Sequence, residues 1–295
     1  MRPSLRAVPL LGSLLPLLLL SLAFFAAAGT ARAQLKLGVE TERMNYLLYE
    51  AIPLRLTIEN AAGFDLSFAD AGEKPWLSFY ITREDGSVVA PDRKAAREPL
   101  LLAAGKRTTL AIDLTPLYAM RATGRYKVQA VIDLADREYL SSPLFITLVP
   151  GQTVWRERRP VEGSMRTYSL VRFAPTMKNT DLYLRVEDEA LNTVYANILL
   201  GEIVDLETPV TKFDNQGHLH ILSLAGSSLY RYSRAGVDGN IEAQASYYSL
   251  NESQPHLESA SDGAIYVSGG REENPSIRRT RLSDGQSKVQ KPAAQ

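Results

Sequence analysis

The sequence predicts an all-β fold made of two antiparallel β domains behind an N-terminal leader. Apolar residues recur at every second position through most of the chain, which is the period of a strand with one buried face. Turn signals built from glycine, proline and Asp-Gly separate these stretches every roughly 8–15 residues. A third observation, an internal repeat in the second half, predicts that similar groups of strands follow one another there.

Residues 1–33 have the composition of a secretory signal peptide. Arg2 and Arg6 make the start basic, a leucine-rich apolar run follows, and Ala31 and Ala33 form the A-x-A pattern that signal peptidase accepts. We therefore expect cleavage after Ala33 and a periplasmic or extracellular mature protein. A retained membrane anchor is the alternative, because roughly 20 apolar residues can span a bilayer, but two prolines interrupt this run.

The composition excludes several classes of protein. The chain contains no cysteine, so the sequence offers neither a disulfide framework nor a lipid-attachment cysteine. Basic and acidic residues number 33 each, and loss of Arg2, Arg6 and Arg32 with the leader leaves 30 basic residues and a net charge of −3. This charge balance attracts neither nucleic acid nor anionic lipid. We expect no nucleic-acid partner and no membrane insertion after signal cleavage.

Residues 34–150 predict an antiparallel β-sandwich of seven or eight short strands. The alternation is clear from Ile52 to Ile58 and from Leu77 to Ile81, and Asp85-Gly86 predicts a tight hairpin turn. The stretch from Thr115 to Tyr118, with Met120, predicts a short helical or 3₁₀ crossing. Trp76 is predicted to be a core residue. The glycine turn at Pro150-Gly151 is a candidate domain boundary.

A tyrosine motif indicates the kind of sandwich. In Gly124-Arg125-Tyr126 the tyrosine stands at the start of a late strand, directly after a glycine turn. This arrangement resembles the tyrosine corner of immunoglobulin-like and fibronectin-like domains. The resemblance implies an immunoglobulin-like sandwich in which the hydroxyl of Tyr126 bonds to an upstream backbone group. It indicates a fold and no activity.

Residues 152–283 predict a second β domain with an internal repeat of 46 residues, over about 209–254 and 255–285. Pro209 and Pro255 begin the two copies, and Gly217 aligns with Gly263 without a gap. Each copy has a proline-led strand, a polar glycine turn, an alternating strand and a later Asp-Gly turn. The period and turns resemble the propeller blades of kelch or WD proteins, although the Trp-Asp dipeptide is absent.

The number of copies leaves the propeller arrangement open. A closed propeller needs at least about four blades, and the sequence has two copies plus a degenerate hairpin over residues 180–206. Residues 284–295 predict a polar tail. A tyrosine-corner sandwich joined to blade-like repeats behind a leader resembles uncharacterised exported bacterial proteins, a resemblance that implies no known activity.

The histidines are the candidate metal ligands. His218 and His220 lie two apart on a predicted strand, so their side chains share one face and could bind one metal ion, with His256 as a third ligand. The aligned positions of the next copy hold Ala264 and Tyr266. Because those positions accept residues of mixed polarity, we predict structural or surface histidines and assign no metal or cofactor site.

Catalytic motifs are weak. Gly226-Ser227-Ser228 lacks the Gly-x-Ser-x-Gly pattern of a serine hydrolase, and Gly269-Gly270 precedes a polar turn instead of the helix that a phosphate loop requires. The carboxylates Asp113, Asp133 and Glu138 lie beside predicted strands, but glycoside hydrolysis depends on a carboxylate spacing that the sequence does not give. We assign no catalytic residue.

The better candidates for binding are the tyrosine-rich stretches Tyr230-Arg231-Tyr232 and Tyr247-Tyr248, because aromatic and arginine side chains offer a large contact area. We expect an exported, non-enzymatic binding or scaffold protein that contacts a protein or glycan through the repeat domain. An envelope carbohydrate hydrolase or lyase using carboxylates of the repeat domain is the alternative. An assembly subunit whose repeats complete a ring only in an oligomer is the third hypothesis.

Overall fold

The computed structural model describes residues 35–92, 98–135, 137–250 and 253–273. These residues form strands and turns and contain no helix, so the predicted all-β class is confirmed for them. The described part of the chain accordingly offers no helix that could cross a membrane. The predicted leader, the end of the second repeat copy and the polar tail lie outside the described residues.

The first strand group, β1 to β10, forms three sheets. Their strand orders are β1-β3-β7, β2-β10-β8-β5 with β9 paired to β8, and β4-β6. All pairs are antiparallel except β2 with β10, which run parallel. The strand bounds are β1 Leu35–Thr41, β2 Asn45–Leu47, β3 Pro53–Asn60, β4 Leu66–Phe68, β5 Leu77–Arg83, β6 Leu100–Leu102, β7 Arg107–Asp113, β8 Gly124–Leu134, β9 Arg137–Leu140 and β10 Leu144–Val149.

One hydrophobic core takes side chains from all three of these sheets. The alternation predicted for β3 is confirmed, since Leu54, Leu56 and Ile58 are buried while the residues between them are exposed or half-buried. Trp76 is 2% exposed and contacts the ring of Phe68, as expected for a core residue. Each fully buried aliphatic side chain contributes about 1.5–3 kcal/mol to stability.

Two predicted turns lie in the first strand group. Gly86 has a φ of +84°, and the amide of Arg83 donates to the carbonyl of Ser87, so the Asp-Gly hairpin turn is confirmed. The predicted helical or 3₁₀ crossing is a single turn, in which the amides of Leu117 and Tyr118 both donate to the carbonyl of Leu114. The turn stops there because Tyr118 enters the core, where its hydroxyl accepts a bond from a backbone amide of β5.

The second strand group, β11 to β21, also forms three sheets: β11-β12-β13-β14, β15-β16-β17-β18-β21 and β19-β20. All their pairs are antiparallel. The strand bounds are β11 Gln152–Val161, β12 Ser164–Phe173, β13 Thr180–Asp188, β14 Thr193–Ile203, β15 Val210–Phe213, β16 Leu219–Leu224, β17 Leu229–Ala235, β18 Ile241–Tyr248, β19 His256–Ser259, β20 Ile265–Ser268 and β21 Arg271–Glu272.

The three sheets of the second group pack in succession. Strand β16 lies in the second sheet and is buried along its whole length, because one of its faces packs against the first sheet and the other against the third. Leu219 and Ile221 join the core shared with the first sheet, and Leu222 and Leu224 join the core shared with the third. A strand with both faces covered is expected to be apolar on both, which β16 largely is.

The two repeat copies have similar local structure. Strands β15 and β19 begin directly after Pro209 and Pro255, and Gly217 and Gly263 have φ angles of +86° and +83°. The turns of the two copies also touch, since the Asn215 side-chain amide donates to the carbonyl of Asp262 at 2.7 Å. The predicted hairpin over 180–206 corresponds to β13 and β14, which join β11 and β12 in a complete four-stranded sheet.

Candidate functional site

A cleft of about 460 Å³ lies where the first strand group meets the second. This volume falls within the roughly 300–1,000 Å³ of small-molecule sites. One wall consists of the β2–β3 loop and the turn after β7, and the other is the turn between β13 and β14. Its polar lining residues are Tyr49, Glu50, Asp92, Thr115, Tyr118, Arg121, Asn192 and Thr193.

The β2–β3 loop is held in an unusual conformation. Tyr49 has a φ of +70°, a left-handed conformation that costs a bulky residue about 1–3 kcal/mol unless its surroundings hold it there. The buried Arg185 supplies that support. Its guanidinium lies over the Tyr49 ring at 5.3 Å and donates to the carbonyl of Leu48 at 3.0 Å and to the Asn197 side chain at 3.1 Å. Burial lowers the pKa of Arg185.

Glu50 connects the two strand groups at the base of the cleft. One carboxylate oxygen accepts from Arg43 and, at 2.7 Å, from the hydroxyl of Tyr183, and the other accepts from the amide of Leu47 at 2.8 Å. Burial, reinforced by the carboxylate of Glu50, raises the pKa of Tyr183, so this tyrosine remains a hydrogen-bond donor. Both oxygens of Glu50 are therefore occupied by protein donors.

The floor of the cleft is equally fixed. The hydroxyl of Thr115 donates to the carbonyl of Glu50 at 2.7 Å, and the carboxylate of Asp113 accepts from the amides of Ile52 and Thr115, each at 3.0 Å. Asp113, one of the predicted candidate carboxylates, therefore stabilises a turn. The walls of the cleft have a defined shape before any ligand enters.

The polar groups nearer the rim are less constrained. Arg121 donates to Asp92 at 3.0 Å, and about half of each side chain is exposed. On the opposite wall are the side chains of Asn192, which has a φ of +49°, and Thr193. The residues that line the cleft include no histidine, serine or cysteine. Their chemistry is that of hydrogen bonding to a polar ligand.

The structure brings His218 and His220 to one carboxylate. The Nδ1 of His218 and the Nε2 of His220 donate to the same oxygen of Asp214, at 2.8 and 3.2 Å. Partial burial raises the pKa of Asp214, but the hydrogen bonds from both histidines outweigh it and hold the pKa at about 2. Burial lowers the pKa of His220, and its Nδ1 then accepts from the hydroxyl of Tyr232 at 2.8 Å.

His256 is not part of this network. It lies on β19, exposed, with its ring nitrogens 3.0 Å from the carbonyl of Gln254 and 2.9 Å from the carboxylate of Glu258. Among the residues that the structure describes, no three histidine, aspartate or glutamate side chains are grouped so that they could hold a metal ion. His218 and His220 instead form hydrogen bonds within the protein, to Asp214 and Tyr232.

The tyrosine-rich stretches lie on the paired strands β17 and β18. Tyr230 faces Tyr247 across the pair, and both contact the core between the second and third sheets together with Tyr232. The hydroxyl of Tyr230 reaches Glu207 at 3.3 Å, and that of Tyr248 reaches Glu273 at 3.2 Å. These rings are largely used in packing, so they offer less contact area to a ligand than their composition indicates.

The remaining candidates are dispersed. Asp133 and Glu138 both pair with Lys74 on the first strand group. Gly226 lies in the β16–β17 turn, and Gly269 forms a turn after β20 with a φ of +76°. None of these residues lines the cleft. Sequence reasoning missed the cleft because its walls come from loops, which have no periodicity.

Comparison of the chain with models of protein families and with curated proteins found no match.

Proposed function

We propose that this chain is an exported, non-enzymatic binding protein of the periplasm or cell exterior, and that the cleft between its two strand groups holds a glycan or a segment of a protein. The leader, residues 1–33, directs export and is removed after Ala33. In this proposal the repeat domain supplies one wall of the site through residues 191–194.

The proposal includes two finer fold assignments. An immunoglobulin-like first domain is supported by the hydroxyl of Tyr126, which donates to the carbonyl of Ala122 at 2.6 Å, four residues upstream, as in a tyrosine corner. A blade-like second domain is supported by the succession of antiparallel sheets and by the similar turns at Gly217 and Gly263. Binding faces in both architectures are built from loops on a rigid frame.

The observation on which the function rests is the combination of fixed walls and solvent-exposed polar groups in the cleft. Arg185 and Glu50 hold the walls, so little conformational entropy is lost when a ligand binds. Asp92, Arg121 and Asn192 can donate to and accept from a ligand's hydroxyl or amide groups. Sugars present such groups densely, which makes a glycan the favoured occupant.

The alternative is a carbohydrate hydrolase, since two carboxylates, Glu50 and Asp92, line the cleft. A glycosidase needs a carboxyl group that is free to give a proton to the leaving oxygen. Both oxygens of Glu50 instead accept from protein donors, and Asp92 accepts from Arg121. Carboxylates held as acceptors in this way suit binding better than acid catalysis.

The test uses the mature protein, a panel of neutral oligosaccharides, peptidoglycan fragments and short peptides, and calorimetry with product analysis. We expect saturable glycan binding without turnover, weakened about tenfold in the Asp92→Asn/Arg121→Gln double variant. The matched control is Glu59→Gln/Arg107→Gln, which removes an exposed ion pair of β3 and β7. Turnover of any glycan contradicts the proposal, as does equal loss of binding in the control.

A further inference from the structure

A second surface of the first strand group combines exposed aromatic and basic side chains. It is the outward face of the sheet β2-β10-β8-β5 and is called here the outer sheet face. On β8, Tyr126, Val128 and Ala130 point into the core. The alternate residues therefore point outwards, and the outer sheet face is formed by Tyr80, Thr82, Arg125, Lys127, Gln129 and Phe145.

The register places these residues in two rows across the sheet. Thr82 and Phe145 flank Lys127, one on each side, and Tyr80 faces Gln129 in the next row. Tyr80 is 43% exposed and Phe145 is 40% exposed, so both rings are open to solvent. With two strand spacings and a two-residue offset between them, the Cα atoms of Tyr80 and Phe145 lie roughly 12 Å apart. Polar side chains fill the interval.

The charge of this face is locally positive. The guanidinium of Arg125 lies over the Phe145 ring at 4.4 Å, and within the described residues neither Arg125 nor Lys127 forms an ion pair. A depression of about 200 Å³ beside them is also lined by Arg83 and by Glu84, the single carboxylate among its lining residues. Arg83 pairs with Asp85 at 3.3 Å, so Arg125 and Lys127 are the cations available to a ligand.

We propose that the outer sheet face binds a linear acidic polysaccharide. The two spaced aromatic rings offer platforms on which sugar rings can stack through their apolar faces. Arg125 and Lys127 lie where carboxylates of the sugar units would meet them. The side-chain amide of Gln129 donates to the carbonyl of Ser141 at 2.9 Å, and its oxygen adds an acceptor between the platforms. This surface is separate from the cleft, and the inference does not depend on the function proposed for it.

A peptide fits the outer sheet face less well. Peptides bind sheets chiefly by adding a strand at an edge, and β8, which carries the cations, lies inside the sheet between β5 and β10. The face also lacks a deep apolar pocket for a side-chain anchor, since its depression is lined mainly by charged residues. A flat face with spaced rings suits an extended chain of sugars.

The experiment measures retardation of the mature protein in gels containing polygalacturonate, a neutral linear glucan or polyglutamate, at low salt and at 0.5 M salt as a rough screening condition. We expect polygalacturonate to bind and the neutral glucan and polyglutamate to bind at least about tenfold more weakly. High salt should weaken the binding because the charge contacts are exposed. Equal binding of polyglutamate would assign the face to an acidic peptide and overturn the proposal.

The variants locate the site. Tyr80→Ala/Phe145→Ala and Arg125→Gln/Lys127→Gln should each weaken polygalacturonate binding about tenfold. The controls Phe64→Ala and Lys178→Gln change an exposed ring and an exposed cation elsewhere and should leave binding within about twofold of the parent. Absence of binding by the parent protein, or equal losses in the controls, overturns the proposal. Circular dichroism of each variant separates loss of binding from loss of folding.

Discussion

Asp214 accepts four hydrogen bonds within a single turn. One oxygen accepts from the amides of Gln216 and His218 at 2.9 and 2.8 Å, and the other accepts from the rings of His218 and His220. The equivalent turn of the next copy is simpler, because the side chain of Asp262 accepts from the amide of Ala264 alone. The sequence shows the two aspartate-containing turns but not this difference in the number of hydrogen bonds that each aspartate accepts.

The folded protein should lose stability on acidification because of this turn. Asp214 has a pKa of about 2 when folded and 3.8 as its ordinary value, so its contribution is present above about pH 4 and declines as the pH falls towards 2. The lowered pKa of His220 acts in the same direction, beginning below 6.5, because the unfolded chain binds the proton more readily.

Substitution separates the contribution of Asp214 from the general effect of acid. Asp214→Asn should lower the free energy of unfolding by about 2 kcal/mol at pH 7. The single oxygen of the new amide can accept from the two backbone amides or from the two histidine rings but not from both sets, and its NH2 group cannot accept. It should also flatten the pH dependence between pH 4 and 2. Asp262→Asn is the control, with an expected loss below about 1 kcal/mol. Urea unfolding of both variants across this pH range checks the expectation, and equal losses would contradict it.

Among the elements, the short connection between β10 and β11 is tightly packed between the two strand groups. Gly151 has a φ of +72°, and a Cβ there would lie 2.5 Å from Val171, 2.7 Å from Leu47 and 2.9 Å from the carbonyl of Arg172. Pro150-Gly151 was predicted as a boundary from its turn chemistry. The glycine also has a packing role, which a local pattern does not reveal.

Gly151→Ala should therefore destabilise the protein by about 3 kcal/mol, through left-handed strain and overpacking together. Gly86→Ala is the matched control: its φ is +84°, but nothing lies within 4 Å of the added Cβ. The strain alone should cost about 1–2 kcal/mol. Thermal unfolding of the two variants tests this difference. If Gly151→Ala loses no more stability than Gly86→Ala, the side chains around position 151 move aside without a measurable cost, and the packing argument is wrong.

The elements also show how far local patterns extend. The alternation from Ile52 to Ile58 predicted β3 because one face of that strand is buried. The 46-residue offset predicted that the pairs β15–β16 and β19–β20 are similar. It did not extend to the pair β11–β12, because the turn of that pair is built on Glu162-Gly163 and contains no aspartate. The cleft could not be predicted at all, since Glu50 and Asn192 are distant in sequence and lie in loops.

At the scale of the whole molecule, the first sheet of the second strand group is covered on both faces. One face packs against the second sheet through Leu170, Leu184 and their neighbours. The other face meets the first strand group, where Val171 and Phe173 contact Leu47. A sheet stack with an apolar outer face would expose a large patch, so the first strand group acts as a cap at this end.

The other end of the stack is polar in the part of the chain that the structure describes. The face of β19 and β20 that points away from the second sheet presents His256, Glu258 and Tyr266, linked by hydrogen bonds of 2.9 and 2.8 Å. Terminal units of stacked repeats need such a polar outer face to remain soluble. With both ends covered in this way, the end faces of the described sheets offer a second copy little apolar surface with which to complete a ring.

The mature protein should therefore be monomeric, in contrast to the assembly-subunit hypothesis. Light scattering coupled to size-exclusion chromatography should give the mass of one chain over a wide concentration range, because association through the polar end would require desolvating His256 and Glu258 without an apolar gain. A His256→Ala/Glu258→Ala/Tyr266→Ala variant removes this desolvation cost, so it should associate more readily than the parent protein does. A concentration-dependent dimer of the parent protein would contradict the expectation, and its loss in the triple variant would identify the polar end as an interface between copies.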